Sequence, residues 1–179
     1  AVSGVALVGC RATPDKVSAN EELNVGVIGV ANQGQYNLTN VASENIVALC
    51  DVDDQFLAAA AQRFPQAKVY NDFRRLLDQR DIEAVVVATP DHTHAVAAVW
   101  ALRSGRHVYC DKPLARTLSE VRIITETARK HNRATQIGTQ IHAGTNYRRV
   151  VELVQTGAIG PVREVHVWVA ASYGGMERP

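Results

Sequence analysis

Residues 24–34, NVGVIGVANQG, decide the fold of this chain. The apolar run at the start of this stretch ends in Gly29, and a helix-length segment, 33–43, follows it, which predicts a buried β-strand, a tight turn and a helix. The glycines Gly29 and Gly34 follow the spacing G-x-G-x-x-G, with Ala31 in the middle position. Taken alone, this spacing is equally typical of an ordinary strand-to-helix turn.

Apolar runs and helix-length segments alternate along the rest of the chain. Further strands are predicted at 46–50, 68–70, 84–88, 107–110 and 134–137, with helices between them at 53–64, 72–80 and 94–104. Strands that alternate with helices over short connections form a parallel sheet with right-handed crossovers. The sequence therefore predicts an α/β fold, a doubly wound parallel sheet of the Rossmann type, in which a ligand lies beyond the carboxyl ends of the strands.

The second half of the chain carries two more helix patterns and one strand pattern. One helix, begun by a capping box at 117–120, is predicted to bury Leu118, Val121, Ile124 and Ala128. Another helix carries the stripe Tyr147, Val150, Val151 and Val154 and ends at Gly157. Residues 162–169 alternate apolar and polar side chains and predict the first strand of a truncated second α+β domain. We therefore expect the remnant of a signal peptide and a linker at 1–22, a Rossmann NAD-binding domain at 23–160 and the start of a substrate domain at 161–179.

A carboxylate follows the second predicted strand. Asp51 lies 22 residues after Gly29, where the dinucleotide-binding fingerprint places an acidic residue that binds the adenosine ribose. That carboxylate would repel a 2′-phosphate, and residues 52–55 offer no arginine to counter it, so NAD is favoured over NADP. A role for Asp51 as a helix cap is the alternative.

The other candidate binding residues also follow predicted strands. The turn and helix N-terminus at Gly29, Ala31, Asn32, Gln33 and Gly34 are suited to a diphosphate, and Val52 lies beside Asp51. After the fourth strand come Thr89 and Pro90, then Asp91 or Thr93 as the predicted helix cap, then His94, which we expect to point toward the cofactor crevice. No third ligand joins His92 and His94 at a recognisable spacing, so no metal site is predicted. After the fifth strand, Lys112 beside Asp111 is a candidate for a tuned pKa, or else a solvated surface lysine.

Together these residues resemble the Gfo/Idh/MocA family, named for glucose-fructose oxidoreductase, inositol dehydrogenase and rhizopine catabolism. The resemblance lies in 27–30 with Gly34, 50–53, 88–90 with His94, 105–114 and 157–162, and the lysine-proline motif at 112–113 is its most specific element. It implies that Lys112 positions substrate and cofactor and assists proton transfer, while Thr89, Pro90 and His94 line the nicotinamide side. It also implies that Asp111, where the family more often has Glu, contacts the nicotinamide ribose, and that Gln140 and His142 begin the substrate pocket.

This resemblance implies an NAD-dependent oxidoreductase that transfers a hydride between nicotinamide and a hydroxyl-bearing carbon of a sugar or cyclitol. The chain would then be the cofactor-binding part of an enzyme that forms a homo-oligomer when full length. An NAD-dependent glycosidase of the same family and a non-catalytic NAD-binding module are the alternatives.

The start of the chain resembles the end of an export signal. The apolar run 1–9 is too short to span a bilayer, and the tetrad 7–10, Leu-Val-Gly-Cys, resembles the lipobox of bacterial lipoproteins. This predicts an exported protein, periplasmic or anchored to the membrane by a lipid on Cys10. A chance apolar run, in a cytoplasmic protein, is the alternative.

Composition excludes several other classes. Nineteen basic and eighteen acidic residues give a net charge of +1, and the basic residues are dispersed, so no nucleic-acid partner is expected. The three cysteines form no C-x-x-C pair, which argues against a disulfide framework and a zinc site. Cys50 and Cys110 end apolar runs and are predicted to be small buried hydrophobic residues.

Overall fold

Six parallel strands form one sheet in the computed structural model, which describes residues 22–168. The strands are β1 Asn24–Ile28, β2 Asn45–Cys50, β3 Lys68–Tyr70, β4 Ala84–Val87, β5 His107–Asp111 and β6 Thr135–Gly138. Their order across the sheet is β3-β2-β1-β4-β5-β6, and every neighbouring pair is parallel. The doubly wound Rossmann sheet predicted from the sequence is confirmed, and the strand order reverses beside β1.

Helices cover both faces of the sheet. They are α1 Gln33–Asn40, α2 Asp54–Arg63, α3 Phe73–Leu77, α4 Asp91–Arg103 and α5 Leu118–His131. One core cluster joins β-strand side chains to α3, α4 and α5, and a second joins the opposite faces of β1, β2 and β4 to α1 and α2. The central strands are buried on both sides, which explains why their sequences are continuous apolar runs.

Alternate residues of β4 pack in the two different core clusters. Val85 and Val87 pack in the cluster with α3, α4 and α5, whereas Val86 packs in the cluster with α1 and α2. Successive strand side chains point to opposite faces, so each valine contributes to one core only. All three are at most 4% exposed.

Several helix boundaries differ from the predicted ones. Helix α4 begins at Asp91, three residues earlier than predicted, and its N-cap is Pro90 without a side-chain cap. The expectation that Asp91 or Thr93 caps it is therefore wrong: Asp91 lies in the first turn, and the Thr93 hydroxyl donates to the Pro90 carbonyl oxygen at 2.8 Å. The predicted capping box of Thr117 and Glu120 is confirmed at the start of α5.

Helix α5 buries only the later part of its predicted stripe. Ile124 and Ala128 are buried and Val121 is only partly buried, but Leu118 is 76% exposed, so its predicted burial is wrong. The buried residues of α5 are Ile124, Thr127 and Ala128, and none of them lies in its first turn. Helical periodicity predicted the buried face of the helix correctly. Whether each turn of that face is buried depends on packing partners that are distant in sequence.

Both cysteines within the described residues are buried and free, as predicted. Burial, with smaller contributions from nearby carboxylates, raises the pKa of Cys50 and of Cys110 to about 12. The thiols remain protonated at neutral pH and behave as small core residues. Cys10 and the lipobox-like tetrad lie outside the described residues.

A second unit begins at Thr139. Its described part contains a 3₁₀ turn, Gln140–Ala143, and helix α6, Thr145–Gln155, which carries the predicted apolar stripe. The strand predicted at 162–169 is absent over 162–168, and Val169 lies outside the described residues. A strand requires hydrogen bonds to a neighbouring strand, and no described strand pairs with these residues, so alternation alone was insufficient. No helix within residues 22–168 is long and apolar enough to cross a membrane.

Candidate functional site

The turn after β1 depends on two positions that cannot carry a side chain. Gly29 has φ +87°, and a Cβ there would lie 2.5 Å from the Ala88 carbonyl oxygen. A Cβ on Gly34 would overlap the carbonyl group of Gly29. The two glycines therefore let the first turn of α1 pack directly against the end of β1.

The first turn of α1 is left open at its N-terminus. Its N-cap, Asn32, has φ +49° and makes no side-chain cap hydrogen bond. The partial positive charge of a helix N-terminus favours an anion at such a position. Ala31, which replaces the middle glycine of the motif, lies on the same cavity wall as Gly29 and Asn32.

Asp51 connects the end of β2 to this turn. Its Oδ2 accepts a hydrogen bond from the Val30 backbone N–H at 2.8 Å, and its Oδ1 accepts one from the Asp53 N–H at 3.0 Å. An ionised carboxylate has about four lone-pair sites, so acceptor capacity remains for ligand hydroxyls. Helix α2 is capped by Asp53, which accepts from Gln55 and Phe56 N–H, so Asp51 is not the helix cap.

A cavity of about 960 Å³ opens beyond the carboxyl ends of β1, β2 and β4. Of the predicted cofactor residues, it is lined by Gly29, Ala31, Asn32, Gln33, Asp51, Val52, Thr89 and Pro90. Gly34, His94, Asp111 and Lys112 are not among its lining residues. The structure thus brings the predicted diphosphate and ribose contacts together in one cavity.

Sequence reasoning missed the outer wall of this cavity. Asn71, Asp72, Phe73 and Arg74 line it from the segment after β3, and Phe56 and Trp100 line it from α2 and α4. The Phe73 and Trp100 rings meet edge to face, with centroids 6.2 Å apart. The position of residues 71–74 after a strand was the available signal, because ligands of such sheets lie at strand carboxyl ends.

His94 joins two loops and does not reach the cavity. It is 1% exposed, with Nε2 2.6 Å from the Thr89 carbonyl oxygen and Nδ1 2.7 Å from the Pro113 carbonyl oxygen. Because both ring nitrogens are engaged with the protein backbone, the expected orientation of His94 toward the crevice is wrong. His94 therefore bridges the loops that follow β4 and β5.

Asp111 is buried at the end of β5 and faces α1. Its Oδ2 accepts a hydrogen bond from Asn37 Nδ2 at 2.9 Å, and Gly138 packs closely against its Oδ1. Burial raises the pKa of Asp111, although the Asn37 hydrogen bond and the nearby His94 and Lys112 oppose that rise. Its predicted contact with a nicotinamide ribose stays a prediction.

Lys112 follows Asp111 and is exposed to solvent. Its peptide bond to Pro113 is cis, and the Pro113 carbonyl oxygen contacts His94. Lys112 therefore lies between the buried Asp111 carboxylate and a proline whose carbonyl oxygen contacts a buried imidazole, and its own side chain is exposed. Its predicted catalytic role stays a prediction.

The predicted substrate residues belong to the second unit. Gln140 and His142 are both exposed, and the His142 ring lies 5.5 Å from the Tyr147 ring. Their assignment to a substrate pocket stays a prediction. Within residues 22–168, no group of three or more His, Cys, Asp or Glu side chains is arranged to hold a metal ion.

Comparison with known proteins identifies relatives of this chain. The model of an oxidoreductase family with an NAD-binding Rossmann fold matches residues 23–139. Inositol 2-dehydrogenase of Salmonella typhimurium is 31% identical over 150 residues, which cover 80% of this chain and 45% of that protein. Levoglucosan dehydrogenase of Pseudarthrobacter phenanthrenivorans is 29% identical over 159 residues, which cover 79% of this chain and 39% of that protein. The chain spans less than half the length of these relatives.

Solved structures agree with this assignment. Scyllo-inositol dehydrogenase from Lactobacillus casei, solved with bound NAD(H) and scyllo-inositol, has a TM-score of 0.74 and 26% sequence identity. The match covers 78% of this chain and 43% of that one. Myo-inositol 2-dehydrogenase from Lactobacillus plantarum has the same TM-score at 24% identity and shows the shared fold.

The close approach at Gly29 predicts a specific stability loss. Gly29 and Gly105 both have positive φ, but a Cβ on Gly105 would meet nothing within 4 Å. Gly105→Ala should cost about 1–2 kcal/mol from backbone strain alone. Gly29→Ala should cost roughly 3 kcal/mol or more, because its Cβ also collides with the Ala88 carbonyl. Urea unfolding followed by circular dichroism measures both, and equal losses would contradict the close-approach argument.

Proposed function

The chain belongs to the Gfo/Idh/MocA oxidoreductase family, and from that premise we propose that it is the cofactor-binding part of an NAD-dependent sugar or cyclitol dehydrogenase. The proposal rests above all on one observation, the Asp51 carboxylate that is hydrogen-bonded to the glycine turn at the rim of the cavity. NAD supplies the hydride acceptor or donor when bound. The chain's own residues bind and orient it.

The described residues fit the adenosine and diphosphate groups of NAD. The turn at Gly29 and Gly34 keeps side chains away from the backbone, so a diphosphate can approach the open N-terminus of α1. Asp51 is fixed by two backbone N–H groups and retains acceptor capacity for the ribose hydroxyls. Asp53 on the same wall adds negative charge that disfavours a 2′-phosphate, which favours NAD over NADP.

The loops after β4 and β5 would hold the nicotinamide, which is the reacting end of NAD. Thr89 and Pro90 line the cavity on the side of β4, and His94 ties the Thr89 carbonyl to the Pro113 carbonyl. His94 thus connects the loop that contains Lys112 to the loop that lines the cavity. We assign to the Lys112 Nζ the positioning of the substrate hydroxyl and assistance in removing its proton.

The class of substrate follows from the relatives. Their names describe dehydrogenases of inositol and of levoglucosan, which are ring compounds bearing several hydroxyl groups. A polyhydroxylated ring requires several hydrogen-bond donors and acceptors for orientation. Gln140 and His142, at the start of the second unit, are the candidates that this chain offers.

Replacement of Lys112 tests the catalytic part of this proposal. In the full-length protein, Lys112→Met should lower kcat for NAD-dependent oxidation of inositols and sugars by about a hundredfold or more, because proton transfer loses its assisting group. The Kd for NAD should change little, because Lys112 does not line the cavity. Lys130→Met, at an exposed position of α5, is the matched control and should retain full activity. Formation of NADH, followed by absorbance, is the measurement.

The outcomes of this assay separate the alternatives. Retained turnover in Lys112→Met would contradict the assigned role. NAD binding by the wild-type protein without oxidation of any polyol would contradict the dehydrogenase and indicate a non-catalytic module. Cleavage of a glycoside with no net formation of NADH would indicate a glycosidase that recycles its cofactor.

We also propose that the protein is exported and anchored by a lipid on Cys10. The support is the resemblance of residues 7–10 to a lipobox, followed by the polar linker 11–22. Labelled palmitate supplied to bacteria that express the full-length protein should be incorporated into the wild type and not into Cys10→Ser. Equal labelling of both proteins, or a wild type that remains unlabelled in the cytoplasm, would contradict the anchor.

A further inference from the structure

We propose that Asp72 sets the cofactor preference of this site by holding Arg74 away from the position of a 2′-phosphate. The inference rests on the proposed binding of NAD and concerns residues that the sequence motifs do not include. Of the residues that line the cavity within the described chain, Arg74 alone is an arginine or lysine. Asp72 acts through Arg74 and is therefore a positioning residue.

Arg74 is held by Asp72 through several hydrogen bonds. The Arg74 Nε lies 2.9 and 3.0 Å from the two carboxylate oxygens of Asp72, and its Nη2 lies 2.6 Å from Oδ2. The Arg74 backbone N–H also donates to Oδ1 at 2.9 Å, which makes Asp72 the N-cap of α3. A side-on pair of this kind directs the guanidinium donors at the carboxylate.

The Asp72 carboxylate is ionised over the whole neutral range. The side-chain hydrogen bonds from Arg74, and then its backbone N–H, lower the pKa of Asp72 to about 2. The pair therefore carries no net charge near neutral pH. A phosphate that approached Arg74 would have to compete with a carboxylate already in place.

The pair lies close to the predicted ribose site. Asn71, directly before it, donates from Nδ2 to the Asp51 carbonyl oxygen at 3.2 Å and to Asp54 Oδ1 at 2.7 Å. The Asp51 N–H donates to the Tyr70 carbonyl oxygen at 3.2 Å. Residues 70 and 71 are thus attached to the end of β2, and residues 71–74 line the same cavity as Asp51.

The charges at this end of the cavity explain the expected preference. Asp51, Asp53 and Asp72 line it with three carboxylates, against the single guanidinium of Arg74. A ribose hydroxyl can donate to a carboxylate, whereas a 2′-phosphate is repelled by it. Binding the phosphate through Arg74 would leave the Asp72 carboxylate without its partner. The site therefore rejects the phosphorylated cofactor although it holds a suitable arginine.

Removal of the Asp72 charge should release Arg74. Asparagine is as good an N-cap as aspartate, so Asp72→Asn keeps the start of α3 while it loses the ion pair. The freed guanidinium can then donate two parallel hydrogen bonds to a phosphate. Asp72→Asn should lower the ratio of the Kd for NADP to the Kd for NAD by about tenfold, the worth of one hydrogen bond to a charged group.

The same helix provides a matched control. Arg75 and Asp78 form a second ion pair, 3.5 Å apart, and neither residue lines the cavity. Asp78→Asn removes the same charge from the C-cap of α3 and should leave the ratio of the two Kd values unchanged. The double variant Asp72→Asn/Arg74→Ala should lose the gain in NADP affinity, because the phosphate ligand is gone. Isothermal titration of the full-length protein with NAD and with NADP, at one salt concentration, measures all four proteins.

Three results would overturn the inference. These are an unchanged ratio in a folded Asp72→Asn protein, an equal gain in Asp78→Asn, and a gain that persists in the double variant. If Asp72→Asn does not fold, the variant Arg74→Ala provides the test. Loss of Arg74 leaves the Asp72 charge unpaired and should raise the ratio of the Kd for NADP to the Kd for NAD. A lowered or unchanged ratio would contradict the proposal. A wild-type protein that binds neither cofactor would instead refute the proposed function, so the two failures are distinguishable.

Discussion

The close backbone contact between the end of β1 and the first turn of α1 is the constraint on which the site depends. It exists because Gly29 and Gly34 have no Cβ. With the turn held there, Val30 donates to Asp51 at the end of β2, and Asn37 of α1 donates to Asp111 at the end of β5. The turn after β1 and helix α1 therefore fix acidic side chains on both sides of the point where the strand order reverses.

His94 completes this set of connections from the other face of the sheet. It joins the carbonyl groups of Thr89 and Pro113, so the loops after β4 and β5 are held together by a buried ring. The turn after β1, helix α1 and the loops after β4 and β5 are thus connected to neighbouring elements by polar contacts of 2.6–2.9 Å. Such a site is largely formed before a ligand arrives, which reduces the entropy cost of binding.

The sequence was most informative where burial and backbone geometry leave little choice. The continuous apolar run at 84–88, with three β-branched valines at its centre, predicted β4 because a central parallel strand is covered on both faces. Asp51 was predicted from its spacing after Gly29. The orientation of His94 was not predictable, because it depends on the Pro113 carbonyl oxygen, 19 residues away. The Asp72–Arg74 pair was missed, and a strand was wrongly expected at 162–168, for the same reason. Both depend on neighbouring residues in space that a local sequence pattern does not reveal.

The most direct test of the central claim is a crystal structure of the protein grown with NAD. The account predicts the diphosphate over residues 29–34 and the adenosine ribose within hydrogen-bond distance of the Asp51 carboxylate, with the bond from Val30 N–H to Asp51 retained. The Asp72–Arg74 pair should stay closed beside the ribose. NAD bound elsewhere on the chain, or an Asp51 side chain turned away from the ribose, would contradict it.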